Sequence, residues 1–247
     1  MAPDDGEGNG YGIAIVIPTL NEARAIRQCL AALAPLSPAE VVVSDGGSGD
    51  ETCAIATAFD RVRVIAAPLG RGSQLKAGVA VTTAPIIILL HADTILPPDA
   101  HHHIRAALVD ASIAGGCFRL RFDNRRWRFA FWSWFTRFDS ELTSFGDQAF
   151  FMRRSALADA GGLADWPLLE DVDLRRRLKR VGRFVKVRAS VTTSARRFER
   201  VGVLRCQLRN AFILAAWQAG VSPPRLARIY RATQTATGRP SNATNPL

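Results

Sequence analysis

Residues 85–94 read PIIILLHADT, five branched apolar residues in a row followed by a histidine, an alanine and an aspartate. An unbroken apolar run of that length, closed by polar residues, predicts a strand over 85–90 covered on both faces, as the strands of parallel sheets are. Asp93 then falls just past the strand's carboxyl end, where open α/β sheets bind their ligands.

The pattern repeats on the N-terminal side. Strands are expected over 12–18, 40–44 and 61–66, and helices over 21–33, 50–59, 73–81 and 99–109, with Asp50 as an N-cap. Strands alternating with helices at this interval predict an α/β fold, a mostly parallel sheet with helices on both faces. Right-handed crossovers bring the carboxyl ends of these strands to one rim. Beyond Ala114 the rhythm changes: strands are expected over 116–122, 148–152 and 183–188, with helices over 170–181 and 200–219, the last ended by Gly220 and Pro223-Pro224. Residues 11–231 read as a single domain with a nucleotide-binding half (11–115) and an acceptor half (116–231). Residues 1–10 and 236–247 lack apolar periodicity and are expected to be disordered.

Hydrophobic residues make up 48% of the 247 positions and charged ones 22%, enough apolar material for a substantial core. The net charge of +10 is uneven: residues 1–117 hold 7 basic and 12 acidic side chains, residues 118–209 hold 21 and 10, and residues 210–247 add 4 arginines and no acid. A basic second half can serve nucleic acid, an anionic lipid or a phosphorylated substrate, and it also suits a genome rich in Arg codons. Cys29, Cys53, Cys117 and Cys206 form no C-x-x-C pair, which argues against a zinc ribbon and fits reduced thiols. No apolar stretch approaches the roughly 18–20 residues of a membrane span, and no leader segment is recognisable. A cytoplasmic protein is expected, with peripheral contact at the inner face of a membrane left open.

Four polar loops fall on the expected rim: Pro18–Glu22, Ser44–Asp50, Gly70–Gln74 and His91–Thr94. Each alone is also ordinary turn chemistry. Neither G-x-G-x-x-G nor G-x-x-x-x-G-K-[ST] occurs, so the site offers carboxylates beside strand ends instead of a glycine-rich phosphate cradle. Asp45 can accept hydrogen bonds from a base or ribose, or cap the turn that follows it. Asp93 is the candidate ligand for Mg²⁺ or Mn²⁺, which take one or two carboxylates plus substrate phosphates, and His91 can add an imidazole. Glu170, Asp171 and Asp173 open a helix whose dipole they complement, and Asp171 is also placed to act as a general base.

In order along the chain, P-T-L-N-E, S-D-G-G-S-G-D, R-G-x-Q-L-x-x-G, H-A-D, G-D-Q-A-F-F-x-R-R and L-E-D-x-D-L resemble family 2 glycosyltransferases of the GT-A fold, from about Ile13 to about Phe198. The short, soluble bacterial branch is the most similar. The resemblance implies a Rossmann-like GT-A domain and inverting transfer of a sugar from a nucleotide-sugar donor, UDP-linked above all. It implies nucleotide contacts at Pro18, Thr19, Glu22, Asp45, Arg71 and Gln74, and a divalent cation at Asp93, with His91 in place of the first acid of a D-x-D motif. Asp171 becomes the base, Glu170 its orienting partner, and Asp147 and Gln148 lie toward the donor sugar or acceptor.

Other features allow two readings. His101-His102-His103 cannot converge on one ion if helical, because successive residues point about 100° apart. The Trp, Phe and Arg side chains of 124–138 suit a partly buried helix, then a lipid-linked acceptor or membrane surface, and last the stacking of nucleic-acid bases. Arg196, Arg197 and Arg200 suit a phosphate contact, the acceptor's for Arg197, or a solvated basic turn. Competing functions are a nucleotidyltransferase of similar fold and a non-catalytic nucleotide-sugar or basic-surface binding protein.

Overall fold

The computed structural model describes residues 12–124, 133–134, 136–137, 146–195 and 202–235, the side chains of 203–204 and 231–235 excepted. The tails expected to be disordered, Arg196, Arg197, Arg200 and most of the aromatic segment 125–145 lie outside the described residues. Of that segment, Trp134 is exposed, with the Arg137 guanidinium 4.7 Å from its ring centre.

The first half alternates as expected: β1 (Ile13–Thr19), α1 (Ala23–Leu33), β2 (Glu40–Asp45), α2 (Thr52–Thr57), β3 (Val62–Ala66), α3 (Arg71–Ala80) and β4 (Ile86–Leu89). A two-residue strand, β5 (Thr94–Ile95), and α4 (Ala100–Leu108) follow. The second half holds β6 (Ile113–Phe122), a 3₁₀ turn (Gly146–Gln148), β7 (Phe150–Arg153), α5 (Arg154–Asp159), α6 (Glu170–Val181), β8 (Arg183–Thr193), α7 (Val203–Gln218) and α8 (Pro223–Thr235). β5, α5 and α8 were not foreseen. β5 is too short for a periodic signal. α8 begins on the two prolines that read as a terminator, and proline is tolerated in a helix's first turn, where the missing N–H has no partner to lose.

Among the described residues the sheet runs β3-β2-β1-β4-β7-β6-β8-β5. β1, β2, β3 and β4 are parallel, β7 runs antiparallel between β4 and β6, β6 and β8 are parallel, and β5 closes the edge antiparallel to β8. The chain thus steps from β1 outward to β2 and β3, then returns to place β4 on the other side of β1. This reversal leaves a crevice outside the carboxyl ends of β1 and β4, where such sheets hold ligands.

All seven residues of β1 are buried, which explains its continuous apolar sequence. Ile26, Cys29, Leu30 and Leu33 of α1 pack on one face of the sheet with Ile104 and Leu108 of α4. Leu75 of α3, Leu157 of α5, and Leu174 and Leu178 of α6 cover the other. A third cluster joins Leu168, Leu169 and Val172 to Ile213, Leu214, Leu226, Ala227 and Tyr230, tying the start of α6 to the final helix pair.

Candidate active site

At the end of β1 the Thr19 hydroxyl donates to Asp45 Oδ1 at 3.0 Å. The amides of Gly47 and Ser48 donate to Asp45 Oδ2 at 2.9 and 2.8 Å, and the Ser48 hydroxyl reaches Oδ1 at 2.5 Å. Burial pulls the Asp45 pKa upward, but the Ser48 hydroxyl and amide, the Gly47 amide and the Thr19 hydroxyl outweigh it and hold the carboxyl below its ordinary range. Asp45 is therefore a fixed anion that also caps its own turn. Ser48 is a contributor that the sequence reading passed over inside a generic Ser-Gly loop.

Asn21 takes a left-handed conformation (φ 56°), which asparagine tolerates. Its Oδ1 accepts from the Gly49 amide, and its own amide donates to the Ser48 hydroxyl. Glu22 is half-buried, with its amide donating to the Thr52 hydroxyl at 2.7 Å. Asp50 does not form the N-cap of α2, which falls at Glu51, yet its carboxylate accepts from the amides of Thr52 and Ala23 and so serves the first turns of two helices. Pro18 is buried in β1 opposite Ser44.

Gln74 does not face outward. Its Nε2 donates to the carbonyls of Thr19 at 2.6 Å and Ser44 at 3.0 Å, stapling the ends of β1 and β2. Gln148 is also buried, accepting from the Cys117 thiol at 3.5 Å. Asp147 stands beside it in the 3₁₀ turn, its Oδ1 out of solvent.

Asp93 is exposed on the turn after β4, where the Thr94 amide donates to the His91 carbonyl at 3.1 Å. The Cys29 thiol beneath this turn is pushed upward by burial, and further by the charges of Asp93 and Glu22, so both carboxylates stand near it. His91 is half-buried. Among the described residues no three His, Cys, Asp or Glu side chains converge as a metal cluster. An exposed carboxylate with an imidazole two residues away fits a cation that completes its shell from substrate phosphate and water, as Mg²⁺ does. His103 bonds Asp99 at 3.1 Å, and the histidine run builds no common site.

The densest cluster joins the two halves of the chain. Arg71, the first residue of α3, places Nε 2.6 Å from Glu170 Oε1 and Nη2 3.5 Å from Asp171 Oδ2. The Gly146 amide donates to the same Asp171 oxygen at 2.6 Å, and the Val172 amide to Oδ1 at 2.8 Å. All three charged side chains are at most 5% exposed. Burial raises the Glu170 pKa to about 7, with Arg71 opposing and Asp171 reinforcing the shift. A Cβ at Gly146 would meet Arg71 Nη2, so only glycine lets the guanidinium lie here. Gly72 is similarly constrained: a Cβ would stand 2.5 Å from the carbonyls of Ala164 and Trp166. The neighbouring Ser73 hydroxyl donates to Asp165. The first turn of α3 is thus latched to the loop leading into α6. Leu169, at the N-cap of α6, is left-handed (φ 65°), a conformation costly for a branched side chain and held by its burial in the third cluster.

A cavity of about 10 Å³ opens beside this cluster, lined by Arg71, His91, Gly146, Glu170 and Asp171 over a floor of leucines and Phe150. His91 and Asp171, far apart in sequence, therefore face one space. That volume is close to the least that one water needs, and Asp171 is held against arginine more tightly than an open, solvent-facing base would be.

The Glycosyl transferase family 2 model matches residues 14–159. An uncharacterised glycosyltransferase of Mycobacterium tuberculosis is 34% identical over 84 residues, 34% of this chain and 38% of its own length. A probable glycosyltransferase of Bacillus subtilis is 26% identical over 206 residues, 70% of this chain and 48% of the other. The chain thus spans less than half the length of these relatives. Glucosyl-3-phosphoglycerate synthase from M. tuberculosis, in a crystal structure with Mn²⁺, UDP and glucosyl-3-phosphoglycerate, superposes with a TM-score of 0.58 at 21% identity, covering 81% of this chain and 78% of that one. This likeness shows that the two share a GT-A fold. With the family model covering more than half its residues, the chain belongs to glycosyl transferase family 2.

Proposed function

We propose that the protein transfers a sugar from a nucleoside diphosphate donor, UDP-linked, to an acceptor hydroxyl by a single inverting displacement. The observation that carries this reading is the meeting of Arg71, from the donor loop, with Glu170 and Asp171, from the acceptor half, beneath the strand ends. Thr19, Glu22 and Asp45 are assigned to base and ribose, with Pro18 shaping the strand end. Arg71 is assigned to the diphosphate. Gln74 acts through the carbonyls it staples, since its amide nitrogen is already committed to them.

A divalent cation, Mg²⁺ or Mn²⁺, would be held by Asp93 with His91 beside it, and when bound it neutralises charge on the departing diphosphate. Asp171 is assigned as the base. Its Oδ2 serves Gly146 and Arg71, while Oδ1 accepts one amide and keeps a lone pair for the acceptor's proton. The space beside Asp171 is about that of one water, and the Arg71 contact is taken to loosen as substrates enter. A donor diphosphate is a second anion able to draw the guanidinium away. Asp147 and Gln148 are assigned to the sugar side, Gln148 as support from below, and Arg197 to an acceptor phosphate.

A phosphorylated acceptor is favoured by the basic second half, and the mycobacterial synthase carries a glycerate phosphate product. A cytoplasmic reaction is proposed with this donor class. A nucleotidyltransferase is disfavoured because Pro18–Glu22 contains no glycine-rich loop. The test is nucleotide release across UDP- and GDP-sugar donors with Mn²⁺, supplied with phosphorylated, lipid-linked and neutral acceptors. Release that requires both Mn²⁺ and a UDP-sugar is expected. Stabilisation by polyanions with no release from any donor would point to a binding module instead.

A further inference from the structure

Helix α7 is apolar on two sides. Inward, Ile213 and Leu214 join the cluster with Leu226, Ala227 and Tyr230. Outward, Leu208 and Phe212, one turn apart, are 62% and 60% exposed. Ala211 and Ala215 are exposed as well, and the spacing 208, 211, 212, 215 makes one continuous stripe. The outer side of a surface helix ordinarily carries charge. Exposed charge near it is basic: Arg205, one turn before Leu208 on the same helix, is exposed, and Arg225 and Arg228 are exposed on α8, which packs against α7. From residue 201 to 247 the sequence has Arg205, Arg209, Arg225, Arg228, Arg231 and Arg239, and no aspartate or glutamate.

We propose that this face docks on an anionic phospholipid bilayer, with Leu208 and Phe212 entering the headgroup boundary and the exposed arginines pairing with lipid phosphates. Charge decides between occupants. A second copy would bring the same acid-free arginine set against itself, whereas an anionic lipid surface complements both the apolar stripe and the exposed arginines of the two helices. No helix among the described residues is long and apolar enough to cross a membrane, so the contact is peripheral. The inference is independent of the assignments of donor and base.

The test is sedimentation of the full chain with vesicles of phosphatidylcholine and phosphatidylglycerol in equal parts, and with phosphatidylcholine alone. Binding to the anionic vesicles only, weakening as salt rises, is expected. Leu208→Glu with Phe212→Glu should reduce it about tenfold or more at an unchanged melting temperature. Should that variant misfold, Phe212→Ser and, separately, Arg225→Glu with Arg228→Glu carry the same expectation of weakened binding. Equal binding to neutral vesicles, no binding to either, or binding unaltered in all of these variants would overturn the proposal. A dimer by light scattering that the Phe212→Ser change converts to a monomer would overturn it too, making the face a contact between copies.

Discussion

Arg71 Nε lies 2.6 Å from Glu170 Oε1, with both side chains 2% exposed. A pair so far from water gains little over a well-packed apolar replacement, but removing one partner leaves the other charge stranded. At about pH 8 and above, where Glu170 with its pKa of about 7 is ionised in the natural chain, Arg71→Met should lower stability by about 3–5 kcal/mol in urea unfolding, and Arg71→Met with Glu170→Gln should recover part of that loss. Equal stability of the single variant and the natural chain would show that the pair is not formed in solution.

Glu170 also predicts a pH dependence. Its pKa rises from 4.5 to about 7 through burial, which Arg71 offsets in part and Asp171 reinforces. A carboxyl that holds its proton more tightly folded than unfolded makes the native state lose stability as pH rises between those two values, with no further loss above them. Glu170→Gln should flatten the slope of unfolding free energy across this window. A slope unchanged in the variant would assign it to another group.

Gly146 brings its amide to Asp171 and leaves room for Arg71. Gly146→Ala forces the guanidinium aside, so destabilisation of about 1–3 kcal/mol is expected. Turnover should fall further than this stability loss explains, because the displaced Arg71 guanidinium is the group assigned to the donor diphosphate. Parallel measurement of melting and nucleotide release separates the two effects.

The two assigned acids should fail differently. Asp171→Asn should cut transfer by about a hundredfold to ten-thousandfold, the range of a lost general base, with nucleotide affinity nearly intact. Asp93→Ala should weaken nucleotide binding in Mn²⁺ and leave it little changed in EDTA. Calorimetric titration of UDP with and without metal distinguishes them, and normal turnover by Asp171→Asn would remove it as the base.

Leu226, fully buried, packs in the cluster that includes Leu169 and Val172 on either side of Glu170 and Asp171. Leu226→Ala should cost about 2–5 kcal/mol. It should also lower kcat more than it weakens nucleotide binding, because the relaxed cluster no longer holds Leu169 in its left-handed conformation.

The first half was legible because its signals are local. β1, β2 and β4 are built on continuous apolar runs, each rim loop follows a strand, and Ile26, Cys29, Leu30 and Leu33 declare a helix by spacing alone. The second half was less legible because its decisive features are non-local. β7 is short and antiparallel, and its place between β4 and β6 depends on pairing across the chain. Nothing near Gln74 signals that its amide points inward to two carbonyls, nor does the Glu-Asp pair reveal that an arginine a hundred positions earlier lies on it. Gly146 and Ser48 stood inside quoted motifs, but only contacts in space distinguish them from spacers.

The insertion of Phe150–Arg153 beside Ile86–Leu89 has an engineering consequence. A fragment cut after β6 would expose the bare edge of β4, an apolar strand that invites pairing with its own kind. The two halves of this chain therefore cannot be exchanged as blocks at that point, and a folded chimera must carry its own copy of this four-residue strand together with the first half it seals.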